Sequence, residues 1–175
     1  MPTHLYQPFY CEENVWQWLD QAVDPDRYAL FITNPAQQVA VWQQRLMPAG
    51  EAVLWDYHVV ALTRTGPEVQ VWDFDTRLPL PSPLSAYLRA TFLPLPPGER
   101  ALAPQFRLVP AADFRATFAS DRRHMRDGQG QWLQPPPPWP PIGSGHTLDR
   151  YLDLADPIAG TVLDLPGLRR WASAT

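Results

Sequence analysis

A chain of 175 residues, 45% hydrophobic and 18% charged, has the composition of one packed globular domain, residues 1–175, long enough to bury a core without disulfides or metals. A formal charge of -4 argues against a nucleic-acid binder, which meets phosphates with a basic surface; Arg122, Arg123 and Arg126 cluster, but Asp121 and Asp127 flank them. The single cysteine, Cys11, excludes an internal disulfide or a thiolate zinc site, and with all 14 basic residues being arginine there is no lysine for Schiff-base or P-loop chemistry.

No apolar run approaches the ~20 residues that span a bilayer, and the N-terminus lacks the basic-then-apolar pattern of a secretion signal. A cytoplasmic protein is expected, and a monomer, since no apolar helix face is left unexplained.

From Glu12 to Val23 the apolar residues Val15, Trp16, Leu19 and Val23 recur at three- and four-residue spacing, which predicts an amphipathic helix beginning near Cys11. Four extended stretches follow: "YALFIT" (28–33), "VAVW" (39–42), "AVLWDYHVVALT" (52–63) and "EVQVWDFD" (68–75). "TRTGPE" reads as the hairpin turn between the last two, placing His58 and the acids around Trp72 on neighbouring antiparallel strands. A helix is expected over 82–92, a strand at "QFRLVP", a helix over 111–119, and then little regular structure before a short extended run at 161–163. The 22 prolines concentrate in connections, and "QPPPPWPP" (134–141) reads as a polyproline II strap packed by Trp132 and Trp139 rather than as a ligand for a proline-binding domain. The fold class expected is α+β, helices against a mainly antiparallel sheet.

Cys11 is positioned for chemistry. A helix N-terminus with a nearby imidazolium lowers a cysteine pKa, and the unpartnered N–H groups of the first turn can stabilise an oxyanion. Glu12 and Glu13 suit the helix dipole but oppose a thiolate if they face the sulfur. Four histidines are candidate bases: His58, held on a strand; His124, in "SDRRHM"; His4, near the terminus; and His146, in the mobile-looking "GSGHT". Asp73 and Asp75 of "WDFDT" alternate so as to share one strand face, with Trp72 and Phe74 opposite, and periodicity does not choose between them as the group that orients the imidazole. The bland alternatives are a buried cysteine, a core histidine and turn-capping aspartates. A Cys-helix, a His-strand and an Asp-strand in that order are nevertheless similar to the arrangement of papain-like and transglutaminase-like thiol enzymes.

The segments "YCEENVW", "VLWDYHVV", "VWDFDT", "FASDRRHM" and "QPPPPWP" closely resemble, in order and approximate spacing, those of the protein N-terminal glutamine amidohydrolase family, from about Tyr10 to about Ile142. The resemblance implies an α-β-α sandwich and an enzyme that converts an N-terminal glutamine of a protein or peptide to glutamate with release of ammonia, a step that in eukaryotes feeds an N-degron pathway. It puts the nucleophile at Cys11, the base at His58 and the orienting acid at Asp73. The chain departs from the eukaryotic form in a shorter N-terminus, fewer cysteines and no lysine.

On this reading the Cys11 thiolate attacks the side-chain carboxamide, ammonia leaves, and water resolves a γ-glutamyl thioester, with no metal or cofactor required. Recognition of the chain terminus calls for a carboxylate against the α-ammonium, for which Glu12, Asp56 and Asp75 are candidates. The competing readings are an internal-glutamine deamidase or transglutaminase, a thiol peptidase, and a non-catalytic module presenting its proline-rich strap.

Overall fold

The computed structural model describes residues 6–22 and 26–174; His4 and Val23 lie outside the described residues. The first helix, α1 (Cys11–Gln21), precedes strands β1 (Asp26–Thr33), β2 (Val39–Val41), β3 (Val53–Trp55), β4 (His58–Thr65), β5 (Glu68–Trp72) and β6 (Ser82–Pro83). Then come α2 (Leu84–Thr91), β7 (Gln105–Pro110), α3 (Ala111–Thr117), α4 (Leu148–Leu152), β8 (Thr161–Asp164) and α5 (Leu165–Ser173).

Six strands form one sheet in the order β6-β5-β4-β1-β7-β8, antiparallel throughout. Successive side chains of a strand point to opposite faces, and here both faces are buried, which is why β1 reads as an unbroken apolar run. Ala29, Phe31, Val59, Ala61 and Val109 meet Val15 and Leu19 of α1, Phe114 of α3 and Tyr151 of α4. Leu30, Ile32, Val60, Leu62, Phe106 and Leu108 meet Leu84, Tyr87 and Leu88 of α2 and Leu168 of α5. The β2–β3 hairpin, a separate two-stranded sheet, adds Val39 and Val41 to this second layer. The fold is therefore α+β, three layers with a sheet between helices, and each fully buried Phe, Leu or Ile contributes about 1.5–3 kcal/mol. Among the described residues, no helix is long and apolar enough to cross a membrane.

The structure corrects the expected strands at two places. "AVLWDYHVVALT" is two strands: β3 pairs with β2, the chain changes sheets at Asp56–Tyr57, and β4 pairs with β1 and β5. The Asp56 carboxylate accepts from the Tyr57 N–H at 2.9 Å and the Asp56 carbonyl from the Thr33 hydroxyl at 3.0 Å, so the break is held by tertiary bonds that no local pattern announces. His58 is thus the first residue of β4, not mid-strand. Likewise β5 ends at Trp72, and the Asp75 N–H bends back to the Asp73 carboxylate at 2.9 Å, so Asp73 and Asp75 belong to a turn rather than to alternating positions of a strand.

The C-terminal third carries more structure than expected. α4 has only five residues, too few for a periodic signal, and α5 hides behind a Pro and a Gly. Its start is readable in retrospect: the Asp164 side chain caps the Gly167 N–H at 2.7 Å and Pro166 occupies the first turn. Arg107 of β7, 1% exposed, ties this region down by donating to the carbonyls of Tyr151, Asp153, Asp156 and Ile158. Just before β8, Gly160 takes φ +103°, and a Cβ there would lie 2.7 Å from the Leu108 carbonyl oxygen. Gly160→Ala is expected to lower the free energy of unfolding by about 3 kcal/mol, combining backbone strain and overlap, as read from urea denaturation.

Candidate active site

The first four residues of α1, "CEEN", point four ways because each helical residue turns about 100° from the last. Cys11 opens on a cleft of about 340 Å³. Glu12 is fully buried; its Oε2 accepts from the Tyr57 hydroxyl at 3.1 Å and lies 3.6 Å from the Cys11 sulfur. Glu13, equally buried, forms a two-pronged ion pair with Arg122, both prongs 2.8 Å, and also accepts from the Trp139 indole at 2.7 Å. Asn14 accepts from the Gln7 N–H and donates to the Gln7 carbonyl, pinning the segment ahead of the helix. In that segment Phe9 sits at φ +68°, a left-handed conformation uncommon for an aromatic residue, and its side chain forms part of the cleft wall.

His58 lines the same cleft as Cys11. Its Nε2 lies 2.9 Å from Asp73 Oδ1, which assigns Nδ1 as the nitrogen not engaged by the carboxylate. Trp55 stacks on the imidazole, ring centroids 5.6 Å apart and planes 11° from parallel. Asp73 is buried and surrounded by donors: its Oδ2 accepts from Gln44 Nε2 at 2.9 Å and from the Tyr87 hydroxyl at 2.8 Å, and its Oδ1 from the Asp75 N–H besides His58. Neither Gln44 nor Tyr87 stands out in the sequence, because they reach Asp73 from separate elements with no shared spacing.

The electrostatics follow from this burial. Burial alone would lower the His58 pKa, but the Asp73 carboxylate outweighs it and leaves the imidazole above its ordinary value. For Asp73, burial acts upward, and His58 with the other donors outweighs it, so the carboxyl stays below its ordinary value and ionised. Cys11 goes the other way from the expected thiolate. Burial pushes the thiol well above its ordinary value, the Glu12 and Asp75 carboxylates add to this, and a bond from the Val59 amide opposes it. Burial first, and the two neighbouring negative charges after it, therefore favour the thiol over the thiolate in the cleft that His58 also lines.

The three carboxylates expected for an ammonium lie in different settings. Glu12 is behind the thiol, Asp56 is exposed at the cleft rim, and Asp75 is half-buried in the cleft wall, its Oδ1 accepting from the Tyr6 hydroxyl. Of the other histidines, His124 lines the cleft with Nε2 3.4 Å from Glu12 Oε1. The His146 ring packs 5.2 Å from it with only 3% of its side chain exposed, so the "GSGHT" imidazole is buried. His58, Asp73 and Asp75 bring ligand-type atoms within 4.8 Å of one another, but a cation there must displace the His58–Asp73 bond.

The "SDRRHM" and "QPPPPWPP" segments prove to be one assembly. Arg122, in a left-handed turn, donates to Glu13 and to the carbonyls of Pro137, Trp139 and Pro140, while Tyr10 and Gln7 donate to those of Gln134 and Pro135. The proline strap is thus packed against the start of α1 by Trp139 and Arg122. Trp132, expected to share this task, instead stacks under Arg126 at 3.6 Å.

A family model described as N-terminal glutamine amidase matches residues 6–170, almost the whole chain. The chain belongs to the N-terminal glutamine amidase family. Three relatives named protein N-terminal glutamine amidohydrolase illustrate the similarity. The one from Bos taurus is 34% identical over 93% of this chain and 84% of its own length; that from Homo sapiens is 35% identical over 87% and 76%. That from Arabidopsis thaliana is 37% identical over 86% and 75%. Family membership makes the chain an amidohydrolase and extends the likeness past Ile142, through α4 and into α5.

Because Glu13 and Arg122 are both buried, removing one leaves the other charge unpaired. Glu13→Gln is expected to cost about 3–5 kcal/mol in urea denaturation.

Proposed function

We propose that this protein hydrolyses the side-chain amide of an N-terminal glutamine in proteins or peptides, releasing ammonia and leaving glutamate, with Cys11 as nucleophile, His58 as base and Asp73 as the group that orients it. The observation that carries the reading is a cleft holding the sole thiol and an imidazole whose far nitrogen is fixed on a buried carboxylate, in a chain of the amidase family. The same order of helix thiol, strand imidazole and carboxylate supports a relationship to papain-like and transglutaminase-like thiol enzymes.

His58 Nδ1 takes the Cys11 proton as the sulfur attacks the amide carbon; a C–S bond forms and the carbonyl electrons move to oxygen. The Cys11 N–H, first of α1 and without an intrahelical acceptor, donates to that oxyanion. The C–N bond then breaks, the departing nitrogen takes the proton from the imidazolium, and ammonia leaves a γ-glutamyl thioester. Water, deprotonated by His58, attacks the thioester, and the sulfur leaves to recover its proton. The resting thiol suits this sequence, since the proton moves to His58 as the sulfur attacks. The chain works as a monomer on this reading, and light scattering at twice its 19.9 kDa mass would overturn that part.

The test is ammonia release, followed by mass spectrometry, from peptides beginning with free Gln, N-acetyl-Gln or Asn. Only the free Gln peptide is expected to react, gaining about one mass unit, and Cys11→Ala abolishes the reaction. Reaction of the acetylated peptide would instead indicate an internal-glutamine deamidase or transglutaminase.

The pH dependence has a defined sign. Asp73 holds the His58 pKa above its ordinary value of 6.5, and only neutral imidazole accepts the thiol proton, so the acid limb of kcat/KM is expected above pH 6.5. Asp73→Asn removes that support: the limb should move to lower pH while kcat falls about 10³–10⁴-fold.

A further inference from the structure

We propose that Asp75 is the counter-charge that receives the α-ammonium of the substrate's first residue, at a fork between two clefts. The proposal rests on the N-terminal glutamine reading above and says which group selects a chain terminus.

A first residue leaves its α-carbon in three directions: a side chain, a peptide chain and an ammonium. The surface offers a matching fork. The catalytic cleft, with Cys11 and His58, shares Phe9, Trp55 and Asp75 with a second cleft whose further walls are Tyr6, Pro8, Arg45 and Leu46. Among the described residues, Asp75 is the only carboxylate lining both. The glutamine side chain enters the first, the following residues run out over the mainly apolar second, and the ammonium remains at the junction. The scale fits, since an extended glutamine separates its α-nitrogen from its δ-carbon by about 5 Å. The Asp75 carboxylate lies within 4.8 Å of a His58 ring nitrogen.

Asp75 is also held in place, with its nearest positive groups, His58 and Arg45, acting on it from beyond ion-pair contact. Its N–H donates to Asp73, its carbonyl accepts from the Arg45 N–H at 2.8 Å, and Tyr6 anchors Oδ1. Among the described residues, no Arg or His side chain lies within salt-bridge distance of its carboxylate. Burial raises the Asp75 pKa despite these more distant charges, and a half-buried carboxylate without a contacting counter-ion is a costly arrangement that an incoming ammonium relieves. The competing carboxylates are less suited: Glu12 does not line the cleft, Asp56 is exposed and capped on the Tyr57 N–H, and the Asp149 side chain is 83% exposed. Neutralising Asp75 has a further consequence. Its charge is one of the two that hold the Cys11 thiol up, so an ammonium bound there eases proton loss from the sulfur and couples recognition of a free N-terminus to attack.

The test compares wild type and Asp75→Asn on two peptides, one beginning with Gln and one with its des-amino counterpart, a glutaramoyl group that keeps the amide and lacks the ammonium. Asp75→Asn is expected to reduce the ratio of kcat/KM for the two, free amine over des-amino, about 100-fold, while iodoacetamide alkylates Cys11 at least as fast as in wild type. Equal losses on both peptides, or slower alkylation, would overturn the assignment and make Asp75 a support for His58. Wild type that releases no ammonia from any Gln peptide would overturn the N-terminal glutamine reading itself, a result separate from any effect of the substitution.

Discussion

A carboxylate shut away from water has to fill its lone pairs from the protein, and Asp73 does so with donors from four places in the chain. His58 comes from the start of β4, Gln44 from the connection after β2, Tyr87 from α2, and the Asp75 N–H from its own turn. Tyr87 belongs to the layer on one face of the sheet, whereas Cys11 is carried by α1 on the other. The two layers are therefore brought into register at the end of the sheet where β4 begins and β5 stops. Low local dielectric strengthens each of these bonds and makes the loss of any one expensive. The imidazole is consequently held in one orientation by the same interaction that raises its affinity for a proton.

The start of α1 depends on a second buried charge in a comparable way. Glu13, Arg122 and the strap carbonyls bond to one another, so the proline-rich segment is tied to the start of α1. The prolines supply carbonyls without competing N–H donors, which suits a segment whose acceptors meet one guanidinium at Pro137, Trp139 and Pro140 and the Gln7 and Tyr10 side chains at Pro135 and Gln134. The consequence for the site is rigidity where the thiol sits. Two acceptors beside the thiol are less well served: Glu12 Oε1 accepts no hydrogen bond among the described residues, and Asp75 makes no contacting ion pair among them. These two negative charges add to burial in raising the pKa of the Cys11 thiol.

Elements with a local period were legible in the sequence. The stripe of Val15, Trp16 and Leu19 marked α1, β-branched and aromatic runs marked β1 and β7, and Gly66 marked the β4–β5 turn. The break at Asp56–Tyr57 was not legible, since its cause is a switch between sheets and the residues on both sides alternate like one strand. The end of β5 at Trp72 was hidden for the same reason, yet Asp73 and Asp75 still meet His58 because the turn folds both back towards it. Gln44, Tyr87 and the Glu13–Arg122 pair were invisible because their partners lie 14 to 109 residues away. The helix alone does not fix the proton affinity of Cys11: burial raises it most, and the Glu12 and Asp75 carboxylates, whose approach no local pattern announces, add to it.

The central claim is that Cys11 carries the substrate as a thioester. The direct measurement is intact-protein mass spectrometry of enzyme mixed with excess N-terminal Gln peptide and quenched in acid within one turnover. The expected species is the enzyme plus the peptide minus ammonia, about 17 mass units lighter than the sum, with the adduct mapping to Cys11. Ammonia release at full rate with no adduct at any quench time, or an adduct on another residue, would contradict it.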